Sequence, residues 1–152
     1  MKRYTSTATK WLAIATLISV AMFATGIVLI VVNASNVGLQ IGAIGFGGLM
    51  SILFVSCFFA EKSRALIIET DNFIFPRGAN VNGKTVFQKT VVRKCDISSV
   101  ESKFHKGDGI TSADCFFHTL KLKDGTKVTV TLYAYGKEAE KEILEMMQSS
   151  IS

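Results

Sequence analysis

An uninterrupted apolar run constrains this chain more than any other feature of its sequence. From Trp11 to Ala60 there is no Asp, Glu, Lys, Arg or His. About 20 apolar residues are enough to span the hydrocarbon layer of a bilayer, so the run is too long for one membrane helix. It divides at the polar cluster 33–36, Asn-Ala-Ser-Asn. The run therefore predicts a transmembrane hairpin of two helices, 11–32 and 37–60.

Basic residues flank the predicted hairpin on both sides. Lys2, Arg3 and Lys10 precede the first helix, Lys62 and Arg64 follow the second, and the connection between the helices carries no charge. Because Lys and Arg are enriched in cytoplasmic segments next to membrane helices, both chain ends are expected in the cytoplasm. The predicted location is the cell (inner or plasma) membrane.

The first ten residues are polar and lack periodicity, which predicts a disordered cytoplasmic tail over 1–10. A cleaved signal peptide is not expected. The first apolar segment exceeds the usual length of about 7–15 residues, and a second span follows it directly. The hairpin is therefore expected to remain as a membrane anchor.

The acidic residues lie outside the hairpin. All 12 of them fall at or after Glu61, and the net charge of +5 comes mostly from basic residues before the first span. A nucleic-acid-binding protein would instead cluster basic residues on a folded face, so nucleic acid is not an expected partner. Residues 61–152 are long enough for one cytoplasmic domain with its own core.

Residues 61–152 have the pattern of short strands and turns. The apolar runs 65–69 and 73–75 are separated by Thr70-Asp71-Asn72, which predicts a β-hairpin. Later turns are indicated by Asn82-Gly83 and Asp124-Gly125, residue pairs that favour tight hairpin turns. This part of the chain is therefore predicted to be mainly β.

The clearest alternation of apolar and polar residues lies on either side of Asp124-Gly125. It predicts two strands with one buried and one solvated face. The buried positions are expected to be Phe116, His118, Leu120, Leu122, Val128, Val130 and Leu132.

An amphipathic helix is predicted over 137–149, and its apolar side is expected to cover the sheet. That side carries Ala139, Ile143, Met146, Met147 and Ser150. Glu138, Glu140 and Glu142 lie in the early turns, where the helix dipole favours negative charge. They are interpreted as solvated side chains.

Four residues could suggest a metal or catalytic site: Cys95, His105, Cys115 and His118. Structural zinc sites usually take their ligands from two close pairs, and only one close pair exists here. Cys115 and His118 are expected on opposite faces of one strand, which separates thiol from imidazole. No catalytic residue, metal, cofactor or small-molecule substrate is predicted.

A basic cluster without intervening acids follows the first hairpin of the domain. On a domain tethered to a membrane it could contact anionic lipid or a protein partner. The alternative is a set of solvated strand positions. The residues are Arg77, Lys84, Lys89, Arg93 and Lys94.

Glycines are frequent in the second predicted span. Glycine lacks the side chain that keeps helix backbones apart, so these residues are candidates for helix packing: Gly38, Gly42 and Gly45, followed by Gly47 and Gly48. The contact could join two copies, or pack the second helix against the first. No charged residue lies inside the hairpin, which argues against a transporter or channel.

The order of elements in 61–151 resembles the bacterial pleckstrin-homology-like (PH-like) domains, which often follow a two-helix membrane hairpin. The resemblance is carried by Asp96-Ile97-Ser98-Ser99-Val100, by the hairpin FFHTLKLKDGTKVTVTL and by the final helix KEAEKEILEMM. It implies a curved antiparallel β-sandwich or partly open barrel, with a C-terminal amphipathic helix as its cap and no catalysis. Headgroup recognition is not expected, because the first hairpin loop has no basic residue.

These patterns lead to one main hypothesis for function. The chain is expected to be a non-enzymatic membrane protein that presents a cytoplasmic PH-like domain for protein–protein interaction or self-association. Two alternatives remain open: a membrane immunity or exclusion factor that acts through its hairpin, and a sensor of anionic lipid.

Overall fold

The computed structural model describes residues 1–32, 35–109 and 113–151. Part of the polar cluster 33–36, which is predicted to connect the two helices, lies outside the described residues. So does part of the segment 106–114, whose composition predicts a loop. The chain forms two compact units. One is Ala8–Ser63, and the other combines Met1–Thr7 with Arg64–Ser152.

The first unit consists of two antiparallel helices, α1 (Ala8–Val31) and α2 (Val37–Ser63). They are about 36 and 40 Å long at 1.5 Å per residue. By length and composition both can cross a membrane, and only 11% and 6% of their most apolar windows are buried. Such exposure distinguishes them from the core helix of a soluble protein. The outer turns extend beyond the predicted apolar ends because helical hydrogen bonding continues into polar residues.

Two glycines permit the close approach of α1 and α2. A Cβ atom added at Gly26 would lie 2.7 Å from Cγ1 of Ile44, and one added at Gly47 would lie 2.7 Å from the backbone nitrogen of Phe23. Real Cβ atoms do not come so near to backbone atoms. Side chains larger than hydrogen at these two positions would therefore push the helices apart.

Of the glycines predicted from sequence in α2, Gly47 does face α1, but three others do not. A Cβ at Gly42 or Gly45 would meet no atom within 4 Å, and one at Gly38 would meet only Oδ1 of Asn36. The prediction that these three pack α2 against α1 is therefore wrong. The rotation of α2 about its axis decides which glycines face α1, and spacing alone does not reveal it. Their packing against a second copy stays a prediction.

The second unit is built from short strands and one long helix, α3 (Lys137–Gln148). Two 3-10 turns, Lys94–Asp96 and Tyr133–Tyr135, connect elements. In the described residues the strands are β1 (Lys2–Tyr4), β2 (Leu66–Ile68), β3 (Asn72–Phe75), β4 (Asn80–Val81), β5 (Lys84–Thr85), β6 (Thr90–Arg93), β7 (Ile97–His105), β8 (Cys115–Leu122) and β9 (Lys127–Thr131).

These strands form two antiparallel sheets. The first has the order β1-β2-β3-β6, and the second has the order β5-β4-β9-β8-β7. Within the described ranges no strand pairing closes either sheet into a barrel. The mainly-β architecture with a terminal helix is thus confirmed as two open sheets and α3.

The N-terminal segment differs from its prediction. Instead of a disordered tail, β1 pairs with β2, and Arg3 lies opposite Ile67. The backbone N–H of Thr7 also donates to the carbonyl oxygen of Ala134 at 2.8 Å. A three-residue strand is too short to show a periodic pattern in the sequence. It is stabilised by the strand with which it pairs. Residues 1–7 therefore belong to the β unit.

The side chains of β1 bind α3 through Glu142. The hydroxyl of Tyr4 donates to Oε2 of Glu142 at 2.7 Å, and Lys2 forms an ion pair with the same carboxylate. Hydrogen bonds from Lys2 and then Tyr4 lower the pKa of Glu142 below its ordinary 4.5. The contact therefore stabilises the fold above that pH, and this stabilisation is lost as the pH falls through the lowered pKa. Glu142 is thus not the freely solvated charge predicted from sequence.

The core lies between the inner faces of the sheets and α3. Ile143 and Met147 of α3 are completely buried, and Leu120 and Val128 of the predicted alternating strands are buried beneath them. The alternation predicted for β8 and β9 is confirmed at His118, Leu120 and Val128, but Phe116, predicted on the buried face, is 46% exposed because β8 extends beyond the core there. The packing side predicted for α3 is confirmed at Ile143 and Met147. The buried apolar residues are Leu66, Ile68, Phe73, Phe75, Ala79, Val92, Ile97, Leu120, Val128, Val130, Leu132, Ile143 and Met147.

Gly47→Ala is expected to destabilise the packing of α1 against α2. The new methyl group overlaps the backbone at Phe23, and overpacking of this kind costs about 1–3 kcal/mol. Gly42→Ala is the matched control, because it faces open space and alanine is the better helix former by about 1 kcal/mol. Full-length protein in mixed micelles is titrated with dodecyl sulfate, and the loss of helical circular dichroism measures the unfolding of both variants. Equal shifts for the two variants would contradict the close approach at Gly47.

Candidate functional site

A groove of about 560 Å³ runs between α3 and the β7–β8 pair. We call it the α3 groove. Its apolar wall includes Phe104 of β7, Phe116 of β8 and Leu144 of α3. Phe104 and Phe116 are directly opposite in the ladder, and their ring centres are 5.3 Å apart. The groove therefore offers an aromatic surface.

The groove begins where the inner face of β8 leaves the core. Along this face Leu120 is fully buried, His118 is 1% exposed and Phe116 is 46% exposed. Period-2 alternation places all three side chains on one face. The same apolar pattern that builds the core thus continues beyond it and becomes an accessible surface.

His118 lies at the boundary between core and groove, and both of its ring nitrogens have partners. Nδ1 is 2.8 Å from Oγ of Ser102, and Nε2 is 2.9 Å from Oε1 of Glu140. An ionised carboxylate can only accept hydrogen bonds, so Nε2 must carry a proton. In the neutral ring Nδ1 is then an acceptor, and the Ser102 hydroxyl donates to it.

The sequence did not reveal this arrangement. Ser102 is the cross-strand partner of His118, which brings the two side chains together on one face of the sheet. Glu140 comes from α3, and its side chain is only 17% exposed. The interpretation of Glu140 as a solvated dipole charge is therefore wrong. A buried histidine on an otherwise apolar face was the one available signal that polar partners were needed.

Ser102, His118 and Glu140 have the connectivity of a nucleophile, a base and an orienting acid. The same two contacts are also what a buried imidazole requires to satisfy its polar atoms. Their direct effect is to fasten α3 to the second sheet at the edge of the core.

The four cysteine and histidine residues considered in the sequence do not come together as a metal cluster. Cys115 borders the groove, as does His118, but Ser102 and Glu140 occupy the ring nitrogens of His118. Cys95 is a free thiol on the surface. In the described part of the chain no three His, Cys, Asp or Glu residues lie close enough to hold a metal ion.

The basic cluster is distributed over several elements. Lys84 begins β5 in the second sheet, whereas Lys89 and Arg93 flank opposite ends of β6 in the first. Because Phe75 pairs with Thr90, Arg77 lies near the same end as Lys89.

Two of the basic residues already have contacts inside the domain. Nε of Arg93 donates to Oδ2 of Asp96 at 2.8 Å, and the ammonium of Lys94 lies 5.3 Å from the ring centre of Phe73. Arg77, Lys84 and Lys89 are exposed. Contact of these residues with lipid or a partner stays a prediction.

In comparisons with known proteins, no family model, no curated protein and no solved structure matches the chain. The chemistry of the α3 groove and the two-unit architecture are therefore the basis for a functional conclusion.

Glu140→Leu is expected to lower the free energy of unfolding by about 1–3 kcal/mol, because it leaves a buried N–H of His118 without an acceptor. Glu140→Gln keeps an acceptor oxygen and should cost less. Glu138→Leu is the matched control, since it removes a carboxylate from the same first turn of α3. The full-length protein in detergent is unfolded with urea, and hydrogen exchange of the β strands monitors the transition. The free energies of unfolding of the variants are then compared. If Glu140→Leu costs no more than Glu138→Leu, the buried contact with His118 does not stabilise α3.

Proposed function

We propose that the chain is a non-enzymatic protein of the inner (plasma) membrane. In this proposal the α1–α2 hairpin is the anchor, and the β unit is a cytoplasmic PH-like domain that binds a protein partner or self-associates. The length, composition and exposure of both helices support the anchor. Exposed apolar surface of this extent is stable only next to lipid or other apolar surface.

The pairing of β1 with β2 supports a common side for both chain ends. β1 precedes the hairpin and β2 follows it, yet the two strands are neighbours in one sheet. Two membrane crossings return the chain to the side from which it started, as that sheet requires. The basic residues at the two ends of the hairpin, Lys10 in the first turn of α1 and Lys62 in the last turn of α2, favour the cytoplasm as that side.

The PH-like assignment is supported by the arrangement of the β unit. Two antiparallel sheets share a core with a C-terminal amphipathic helix, as the resemblance of the sequence implies. α3 contributes Ile143 and Met147 to that core. It thereby covers the inner face of the second sheet, as a capping helix would.

The observation that carries the binding function is the exposed aromatic wall of the α3 groove. Phe104 is 52% exposed and Phe116 is 46% exposed, although the two rings contact each other. Aromatic residues exposed in a concave surface mark sites of protein interaction. Lys137 on the rim has no ion pair among the described residues and adds a charge for orientation. A macromolecular surface therefore fits this groove.

Photo-crosslinking in native membranes tests the proposal. Benzoylphenylalanine at Phe116 is expected to give a discrete protein adduct, and the same probe at Val91, an exposed position of β6 outside the groove, is expected to give none. Leu144→Glu should abolish the Phe116 adduct, because it places a charge in the groove. Tyr133→Glu, tested on its own, places the charge on the rim and should only weaken the adduct.

Two results would contradict the proposal. One is equal adducts from Phe116 and Val91, or no adduct from either. The other is labelling of Ser102 by a fluorophosphonate probe, which would show that Ser102, His118 and Glu140 act as a catalytic unit and not as a structural contact.

A further inference from the structure

We infer that the partner of the β unit is a second copy of this chain, joined edge to edge through antiparallel pairing of β7 with β7. This inference rests on the proposed function and names its partner. The observations that carry it are the open edge of β7, the charge pattern along that strand and the apolar residues on its inner face.

β7 is the longest strand of the domain and ends its sheet. Among the described residues it pairs with β8 alone, and every residue from Glu101 to His105 is exposed. The backbone N–H and C=O groups on the outer side of such a strand have no strand partner, and edges of this kind are templates for another strand. An extended strand is the one occupant that supplies matching donors and acceptors along the whole edge.

The sequence of this edge is self-complementary. A two-fold axis at Ser102 places Glu101 of one copy opposite Lys103 of the other, and the same pairing occurs again across the axis. It also places Val100 opposite Phe104, again twice. Opposite charges and apolar pairs at directly facing positions stabilise antiparallel strands. A symmetric dimer needs a self-complementary surface of this type.

The two kinds of pair fall on opposite faces of the sheet. Within one copy Val100 lies opposite buried Leu120, and Phe104 lies opposite Phe116, so the apolar pairs would continue the wall of the α3 groove. Glu101 and Lys103 alternate with them and face the other side. Pairing would therefore cover half-exposed Phe104 and keep both ion pairs at the surface.

Other registers lack this complementarity. Directly opposite side chains in a strand pair lie on the same face of the sheet. The two-fold axis must therefore lie between one residue and the same residue of the second copy. An axis at Glu101 would oppose two carboxylates, and an axis at Lys103 would oppose two ammonium groups. The axis at Ser102 is the one that matches Glu101 with Lys103.

The ion pairs already present do not prevent the pairing. Glu101 contacts Lys121 of β8 while its side chain stays 61% exposed, so a second cation can approach it. Lys103 has no ion pair among the described residues. In the dimer each Lys103 would gain a carboxylate that the single copy does not provide.

The proposed interface is small, and the membrane anchor compensates for this. A five-residue strand pair buries less than the ~1,200 Å² of a stable soluble interface. Two anchored copies meet in a thin layer next to the bilayer, which raises their effective concentration. Self-association is therefore expected in vesicles and should be much weaker in dilute detergent.

Charge exchange along β7 tests the inference. Full-length protein carrying donor or acceptor fluorophores is reconstituted into phosphatidylcholine vesicles, and self-association is measured by energy transfer against protein density. Glu101→Lys alone and Lys103→Glu alone each oppose like charges twice, and each should weaken self-association by about tenfold. The double variant exchanges the two charges and should associate like the original chain.

Mixing the two single variants provides an internal control for folding. A copy with Glu101→Lys has two lysines on this edge, and a copy with Lys103→Glu has two glutamates, so the mixture should regain energy transfer. Lys121→Gln removes the partner of Glu101 within one copy and leaves the edge charges intact. It should leave self-association unchanged.

The outcomes separate this inference from the function on which it rests. Equal energy transfer for the original chain and both single variants would overturn pairing through β7, as would failure of the mixture to recover. Loss of energy transfer in Gly42→Leu without any effect of the β7 charges would assign self-association to α2. If β7 pairing is overturned in one of these ways, a Phe116 adduct to a different protein would still support the proposed function. If no such adduct forms either, both the β7 pairing and the proposed function are wrong.

Discussion

The pairing of β1 with β2 is the constraint on which the rest of this architecture depends. Residues Lys2–Tyr4 and Leu66–Ile68 are adjacent in one sheet, although the whole helical hairpin lies between them in the sequence. The hairpin is therefore an insertion in the β unit, not an appendage at one end. The contact of Lys2 and Tyr4 with Glu142 extends this constraint to α3. A fragment that begins after the hairpin would lack one strand and one attachment of α3.

The sequence predicted those features that have a local signal. The charge-free run marks α1 and α2, and period-2 alternation correctly buries Leu120 and Val128. The missed features depend on tertiary structure. β1 is stabilised by its neighbour, and the rotation of α2 decides that Gly47 faces α1 whereas Gly42 and Gly45 do not. The same limit applies to Glu140, which looks like any charge in a first helical turn until α3 is placed against the strand that carries His118.

In the proposed function, one surface of the β unit would serve both stability and recognition. The inner face of the second sheet is buried beneath α3 near Leu120, and the hydrogen bonds of His118 lie at the edge of this buried region. Beyond His118 the same face forms the aromatic wall of the α3 groove at Phe104 and Phe116. The same strand that supplies Phe104 is the open edge of the sheet. A partner strand there, as we propose, would extend the sheet and the apolar wall together and would cover aromatic surface that is accessible in a single copy.

A disulfide between β1 and β2 would show that the helical hairpin is inserted into the β unit. In full-length protein with its native cysteines replaced by serine, Arg3→Cys and Ile67→Cys are directly opposite across the ladder, within the Cα separation that a disulfide allows. Oxidation in native membranes should join them rapidly. Arg3→Cys with Ile74→Cys, one strand further and about 9.6 Å away, should not react. Absence of the first disulfide, or equal formation of both, would contradict the insertion of the hairpin into the β unit.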